Sequence, residues 1–335
     1  MSPKRKMVDT DFLMISARIK AREVQLLDTA TAEKLIEADG MDEVVKLLTD
    51  KGYEASGLSG TETDFLSRVI EADRANVAEL VAATGQGLFD LFLYPNDYHN
   101  LKVALKNELV EDKRNIYTTG GSIPLDVVKV AVDTRDFVHL TPFMAEGTEA
   151  AAQAARDMGN PQFIDIVLDR YCYKDMAATA EKIGNGFLTG YVKRMIDVAN
   201  VKSLLRLRRM GKSHDFAVRV FFDGGSTPAS SFIEAYTVTD DELPAKLGEA
   251  GDLCKQAVEA LRSGAGGMAA FEMYCDNYLM DYIKKVKYIP FGAEVPAGYL
   301  LAKETEYKVI SIILAGKTAG LPGDTIRERV RSLYV

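Results

Sequence analysis

Gly316-Lys317-Thr318 has the residues that end a phosphate-binding loop, in which backbone amides and a lysine cradle the phosphates of a nucleotide. Such a loop also needs a glycine five positions before Gly316, where this chain has Ser311, and a strand ahead of it. The preceding residues instead place Val309, Ile312 and Ile313 on one helical stripe, so the expectation is a glycine helix end followed by a cation near the negative end of the helix. Gly184-Asn185-Gly186-Phe187-Leu188-Thr189-Gly190 comes close to a dinucleotide fingerprint, but its third glycine falls one place late and no strand-like run precedes it. It reads as a loop between helices. The histidines are His99, His139 and His214, and none has further His, Cys or carboxylate residues at a spacing that completes a metal site. Glu304 with Glu306, or Asp240-Asp241-Glu242, could serve as paired acids for proton transfer, yet each fits a solvated or dipole-matched helix start better. No catalytic residue, cofactor site or metal site is therefore expected.

The elements that carry these residues are helices. Leu101, Leu105 and Leu109, and again Leu243, Leu247, Ala250, Leu253, Ala257 and Leu261, recur every three or four positions, the period of a helix and not of a strand. Ser122-Ile123-Pro124-Leu125-Asp126 and Thr239-Asp240-Asp241-Glu242 have the proline or the acids of helix starts. Ala217 to Phe222 is the one segment with β-like character; a helix end with an apolar wrap is preferred over a short strand. The fold class is all-α. With 335 residues and 47% apolar composition the chain can bury a substantial core, and a net charge of −8 argues against general nucleic-acid binding. Cys172, Cys254 and Cys275 form no Cys-x-x-Cys pair and read as free thiols of a reducing compartment. Lys4, Arg5 and Lys6 are followed by Asp9 and Asp11 and not by an apolar run, so no secretory leader is expected. The apolar run from Val309 to Ala315 is far below the roughly 20 residues of a spanning helix, so membrane association is expected to be indirect.

Internal repetition organises the chain. Asp97-Tyr98-His99-Asn100-Leu101-Lys102 aligns with Asp197-Val198-Ala199-Asn200-Val201-Lys202 at an offset of 100, and Gly120-Gly121-Ser122-Ile123-Pro124 with Gly224-Gly225-Ser226-Thr227-Pro228 at an offset of 104. Asp169-Arg170-Tyr171 matches Asp276-Asn277-Tyr278 more weakly. Glu306-Tyr307-Lys308-Val309 with Gly320-Leu321-Pro322 is a shortened copy, and Arg18-Ile19-Lys20 a degraded one. The aspartate is expected to cap the first helix of each unit, with the glycines supplying positive φ and Ser-x-Pro opening the next helix. About three copies of one helical unit result, with expected boundaries 1–94, 95–195 and 196–302, and with 303–335 packing back on the first. Arg206, Arg208, Arg209 and Lys212, downstream of Lys202, form the densest cationic stretch, either a solvated helix face or an edge that meets an acidic partner or lipid headgroups.

Ala17-Arg18-Ile19-Lys20-Ala21-Arg22 with Leu26-Leu27, the two Asp-x-x-Asn-x-Lys segments, the Gly-Gly-Ser-x-Pro turns and the run from Lys303-Glu304-Thr305-Glu306 through Gly316-Lys317 to Gly320-Leu321-Pro322 together resemble the C subunit of V-type (A-type) ATP synthases. That family is related to the d subunit of the eukaryotic V-ATPase. The resemblance implies an all-α funnel of three units about a pseudo-threefold axis. It further implies a rotor part without an active site, on the cytoplasmic side of the membrane, between the D and F shaft proteins and the proteolipid ring, with no small-molecule ligand. A helical-repeat adaptor of another complex and an all-α enzyme with a site between units are the competing classes.

Overall fold

The computed structural model describes residues 8–53, 62–82, 89–109, 115–263 and 266–335. Their regular structure is helical, with no strand among them. In chain order the α-helices are α1 (Leu13–Arg22), α2 (Thr29–Glu37), α3 (Met41–Asp50), α4 (Glu62–Ala82), α5 (Tyr94–Asn107), α6 (Leu125–Thr134), α7 (Pro142–Met158), α8 (Gln162–Ile183), α9 (Gly186–Arg209), α10 (His214–Ala217), α11 (Ala229–Ala235), α12 (Leu243–Lys246), α13 (Gly251–Leu261), α14 (Gly267–Ile283), α15 (Glu294–Thr318) and α16 (Gly323–Arg327). The chain divides into two compact units, one of Met1–Gln86 with Gln256–Val335 and one of Gly87–Lys255.

In the continuous unit, α7 and α8 form a hairpin and α8 also packs on α5 and α9. Gly147, Ala151 and Ala155 recur at one-turn spacing and are buried along α7. A Cβ on Gly147 would overlap the Tyr171 side chain, so the absence of one lets α7 and α8 approach closely. The bends follow local turn chemistry. Gly184 (φ 74°) ends α8 in the left-handed region, and the Asn185 carboxamide oxygen accepts from the amides of Phe187 and Leu188 at 3.0 and 3.1 Å to open α9. The near-fingerprint at Gly184 to Gly190 is thus a two-residue break followed by the first turns of α9, shorter than the expected loop.

The discontinuous unit is built around α15, which packs against α1, α2, α4, α14 and α16. Tyr307, Val309, Ile310, Ile313 and Leu314 of α15 join Leu27, Leu35, Val44, Leu48 and Val69 in its core. A helix with apolar residues around most of its girth must be surrounded in this way. No helix among the described residues is long and apolar enough to cross a membrane.

The structure settles some expected details and changes others. Ala217 ends α10, Val218 to Val220 form a turn, and Phe221 and Phe222 are buried in an irregular stretch, which is the helix end with an apolar wrap and not a strand. The stripe from Leu243 to Leu261 is broken into α12, a 3-10 turn and α13, while Leu243, Leu247, Ala250, Leu253 and Ala257 are all buried. Leu101 and Leu105 are buried, but Leu109 is exposed beyond the end of α5. Gly316 is not the helix end: it lies in the last turn of α15 against Ile326, and Gly320 (φ 67°) follows the helix. Lys317 does meet a negative helix end, but that of α2, donating to the carbonyls of Ile36 and Ala38 at 2.8 and 2.6 Å.

Candidate functional site

The repeated residues build the same device twice. Asp97 lies in the first turn of α5 and Asp197 in the middle of α9, and both are buried. Neither caps its own helix, contrary to expectation. Instead Asp97 accepts from the Ser122 amide at 2.9 Å, the Ser122 hydroxyl at 2.6 Å and the Ile123 amide at 3.1 Å. Asp197 accepts from the amides of Ser226 at 3.0 Å and Thr227 at 3.1 Å. Three residues on, Asn100 exchanges two hydrogen bonds with the backbone of Thr118, and Asn200 does the same with Phe222. The side chains of a buried helix thus stand in for a strand and hold the loop that leads into the next helix.

The two glycines of each loop have separate reasons. Gly120 (φ 79°) and Gly224 (φ 102°) occupy the left-handed region, whereas a Cβ on Gly121 or Gly225 would overlap the carboxylate of Asp97 or Asp197. Burial pushes the pKa of both aspartates above the ordinary carboxylate range, and the hydrogen bonds from the loops draw it back only in part.

Glu306 does comparable work in the discontinuous unit. Its Oε1 accepts the Leu27 amide at 2.6 Å, just before Asp28 caps α2 through the Thr31 amide at 2.7 Å. Its Oε2 accepts from Tyr53 at 2.7 Å and pairs with Lys303 at 2.9 Å. Lys303, only 4% exposed, also meets Asp73 at 2.9 Å and lies 4.0 Å above the centre of the Tyr53 ring. Tyr307 closes the cluster by donating to Asp73 at 2.7 Å. Burial works against the Lys303 charge, but Glu306 and Asp73 outweigh it and hold the ammonium above its ordinary pKa. Asp73 and Tyr53 escaped the sequence reading, and Lys303 entered it only as part of the family run. The signal was present in Tyr299, Lys303, Glu306 and Ile310, where two charges stand at helical spacing on an apolar stripe. Glu304 does not join Glu306 as an acid pair; it forms a two-bond fork with Arg74 at 3.0 and 2.8 Å.

Of the remaining repeat positions, Lys102 pairs with Asp169 and Lys308 with Asp276, the two aspartates that the weak third match aligned. Lys202 is half-buried on α9. The cationic stretch is not a uniform free edge. Arg208 is tied to Asp240 at 3.0 Å, and Lys212 lies 5.4 Å from the centre of the Phe216 ring, while Arg206 and Arg209 are exposed. His99 bonds the Ile116 carbonyl at 2.9 Å, and His214 faces the Tyr236 ring. All three cysteines are buried free thiols, and burial raises the pKa of Cys254 to about 12. Among the described residues no group of His, Cys, Asp and Glu is arranged to hold a metal ion.

These features define a class: helices whose buried polar groups bind the chain's own loops, an arrangement for holding shape. Residues 15–329 match the family model of the ATP synthase (C/AC39) subunit, and the chain belongs to that family, a structural and non-catalytic component of the rotary ATPase. It is 24% identical to the C subunit of the V-type sodium ATPase of Enterococcus hirae, over 94% of this chain and 97% of the relative. It is also 24% identical to the C subunit of the A-type ATP synthase of Pyrococcus abyssi, over 97% and 91%, and 22% identical to that of Methanocaldococcus jannaschii, over 96% and 86%.

Proposed function

We propose that the chain is the central-stalk C subunit of a V/A-type rotary ATPase. In this reading it is seated on the cytoplasmic side of the membrane, between a D/F shaft and the proteolipid ring, and passes torque between them for H⁺ or Na⁺ transport. The observation that carries the reading is the family match along almost the whole chain. Torque transmission demands stiffness, and the latches support it by fixing loops that would otherwise be the soft parts of a helical protein. Glu306 holding Leu27 as Asn100 holds Thr118 and Asn200 holds Phe222 supports three similar units, bounded at 1–94, 95–195 and 196–302, with 303–335 completing the first. A funnel with pseudo-threefold symmetry is the arrangement such units would form. Of the cationic stretch, the exposed Arg209 is the residue best placed to meet an acidic surface of a partner.

The test is affinity purification of the tagged chain from membranes of its source. Recovery with D, F and the proteolipid is expected; recovery with an unrelated complex would refute the reading. Leu105→Asp or Leu205→Asp, each placing a charge in a packed unit, should abolish ATP-driven ion pumping while the catalytic head still hydrolyses ATP. Normal pumping with the variant assembled at wild-type level would contradict it.

A further inference from the structure

The turn between α14 and α15 is dense in lysine. Lys284, Lys285 and Lys287 crowd into four residues, and none of the three forms an ion pair among the described residues. Lys284 donates to the Ser332 hydroxyl at 2.6 Å, Lys285 lies 5.0 Å from the centre of the Tyr282 ring, and Lys287 lies 5.3 Å from that of Tyr334. By contrast Lys20, Lys51, Lys303 and Lys308 each meet a carboxylate. Partial burial and the neighbouring Lys284 lower the Lys287 pKa, with Glu23 opposing them.

Beside these lysines the apolar side chains point outward. Tyr288 is 88% exposed and Phe291 39%. Lys20 donates to the carbonyls of Val286 and Lys287 at 3.5 and 3.4 Å, which brings α1 alongside, and Met14 of α1 is 80% exposed. Exposed aromatics flanked by lysines with flexible apolar stems match the layer where headgroups meet acyl chains.

We propose that this turn is a lipid-contacting edge: Lys285 and Lys287 take anionic phospholipid headgroups while Tyr288 and Phe291 enter the headgroup layer. A nucleic acid fits less well, because its continuous backbone would run from the lysines onto Glu23 and, beside Gly292, onto Asp9 and Glu294, whereas separate headgroups let each lysine recruit its own anion. The edge makes direct a membrane association expected from sequence to be indirect. It deepens the rotor reading, which brings the chain to a membrane surface, but its test does not need the complex.

The sequence contains no tryptophan, so Tyr288→Trp supplies a single reporter at a site too exposed to disturb packing. With the full chain and phosphatidylglycerol vesicles at low salt, its emission should shift to the blue and return when salt is raised. Adding Lys285→Gln and Lys287→Gln should weaken partitioning about thirtyfold. Three results would overturn the proposal: no shift with phosphatidylglycerol, an equal shift with phosphatidylcholine alone, or a shift produced by polyglutamate and not by vesicles, which would mark the edge as a site for an acidic protein. Vesicle binding without recovery of D, F and the ring would count against the rotor reading alone; full assembly without vesicle binding would count against the lipid edge alone.

Discussion

Asp97 and Asp197 in one unit and Glu306 in the other are carboxylates buried on central helices, yet their charges are stabilised by different means. The two aspartates are held by backbone amides and, at Asp97, a hydroxyl, with no cation among the hydrogen-bond partners. Glu306 shares Lys303 with Asp73 and adds a tyrosine and an amide. Neutral donors aimed by a rigid loop keep a buried carboxylate hydrogen-bonded but leave burial to raise its pKa. A counter-ion adds a direct attraction that neutral donors lack, at the cost of making every member of the cluster depend on the others. The first device secures a loop close in sequence; the second joins α15 to α4 and to the chain around Leu27 and Tyr53, more than 200 residues away in sequence.

The largest effect is therefore expected at Lys303. Lys303→Met leaves the buried Glu306 and the part-buried Asp73 without their cation and should cost about 3–5 kcal/mol in urea unfolding. A loss below about 1 kcal/mol would show that the cluster does not depend on its cation. Next come the loop glycines. Gly121→Ala and Gly225→Ala each push a methyl group into the aspartate and should cost about 1–3 kcal/mol, and Asp97→Ala with Gly121→Ala should cost clearly less than the sum of the two single changes. Additive losses would mean that the glycine serves something other than the carboxylate. Gly159→Ala (φ 60°, nothing near a Cβ) isolates the backbone cost and should lose only about 1 kcal/mol.

Acid separates the two kinds of carboxylate further. The pKa of Asp97 is raised on folding, so its contribution is fully present below the unfolded value and is lost as pH rises through the folded one. The advantage of the native chain over Asp97→Asn should therefore grow as pH falls from neutral toward the ordinary aspartate pKa. Asp28 behaves in the opposite way. The Lys51 ammonium is the main cause that lowers its pKa to about 2, so its contribution is present above the unfolded value and fades as pH falls through about 2. Because Asp28 is partly exposed, Asp28→Ala should cost only about 1 kcal/mol at neutral pH, mostly through the lost helix cap. Parallel pH profiles for the two variants would erase the distinction.

Much of this was legible in the chain. Helical period, the Gly-Gly-Ser-x-Pro turns and the spacing of Asp97, Asn100 and Lys102 against Asp197, Asn200 and Lys202 are local patterns, and local patterns depend on rotation per residue and on the few residue types that tolerate a tight turn. What Asp97 binds was not legible, because capping its own helix and holding a loop 25 residues on use the same oxygen atoms. Gly121 looked like a turn residue and is one, but its second reason is the carboxylate against it, which no spacing announces.

The sequence by itself determined an all-helical protein with an internal repeat, and it named the polar residues of that repeat. Only the tertiary structure decided which partner each of them takes. It turned Asp97 and Asp197 from caps into latches, moved Lys317 onto the end of α2 and buried Lys303 between Asp73 and Glu306. The physical reason is range: helix period and turn geometry are set within a few residues, whereas a buried polar group takes the complementary atom that packing brings to it, as Glu306 takes the Leu27 amide from 279 residues along the chain.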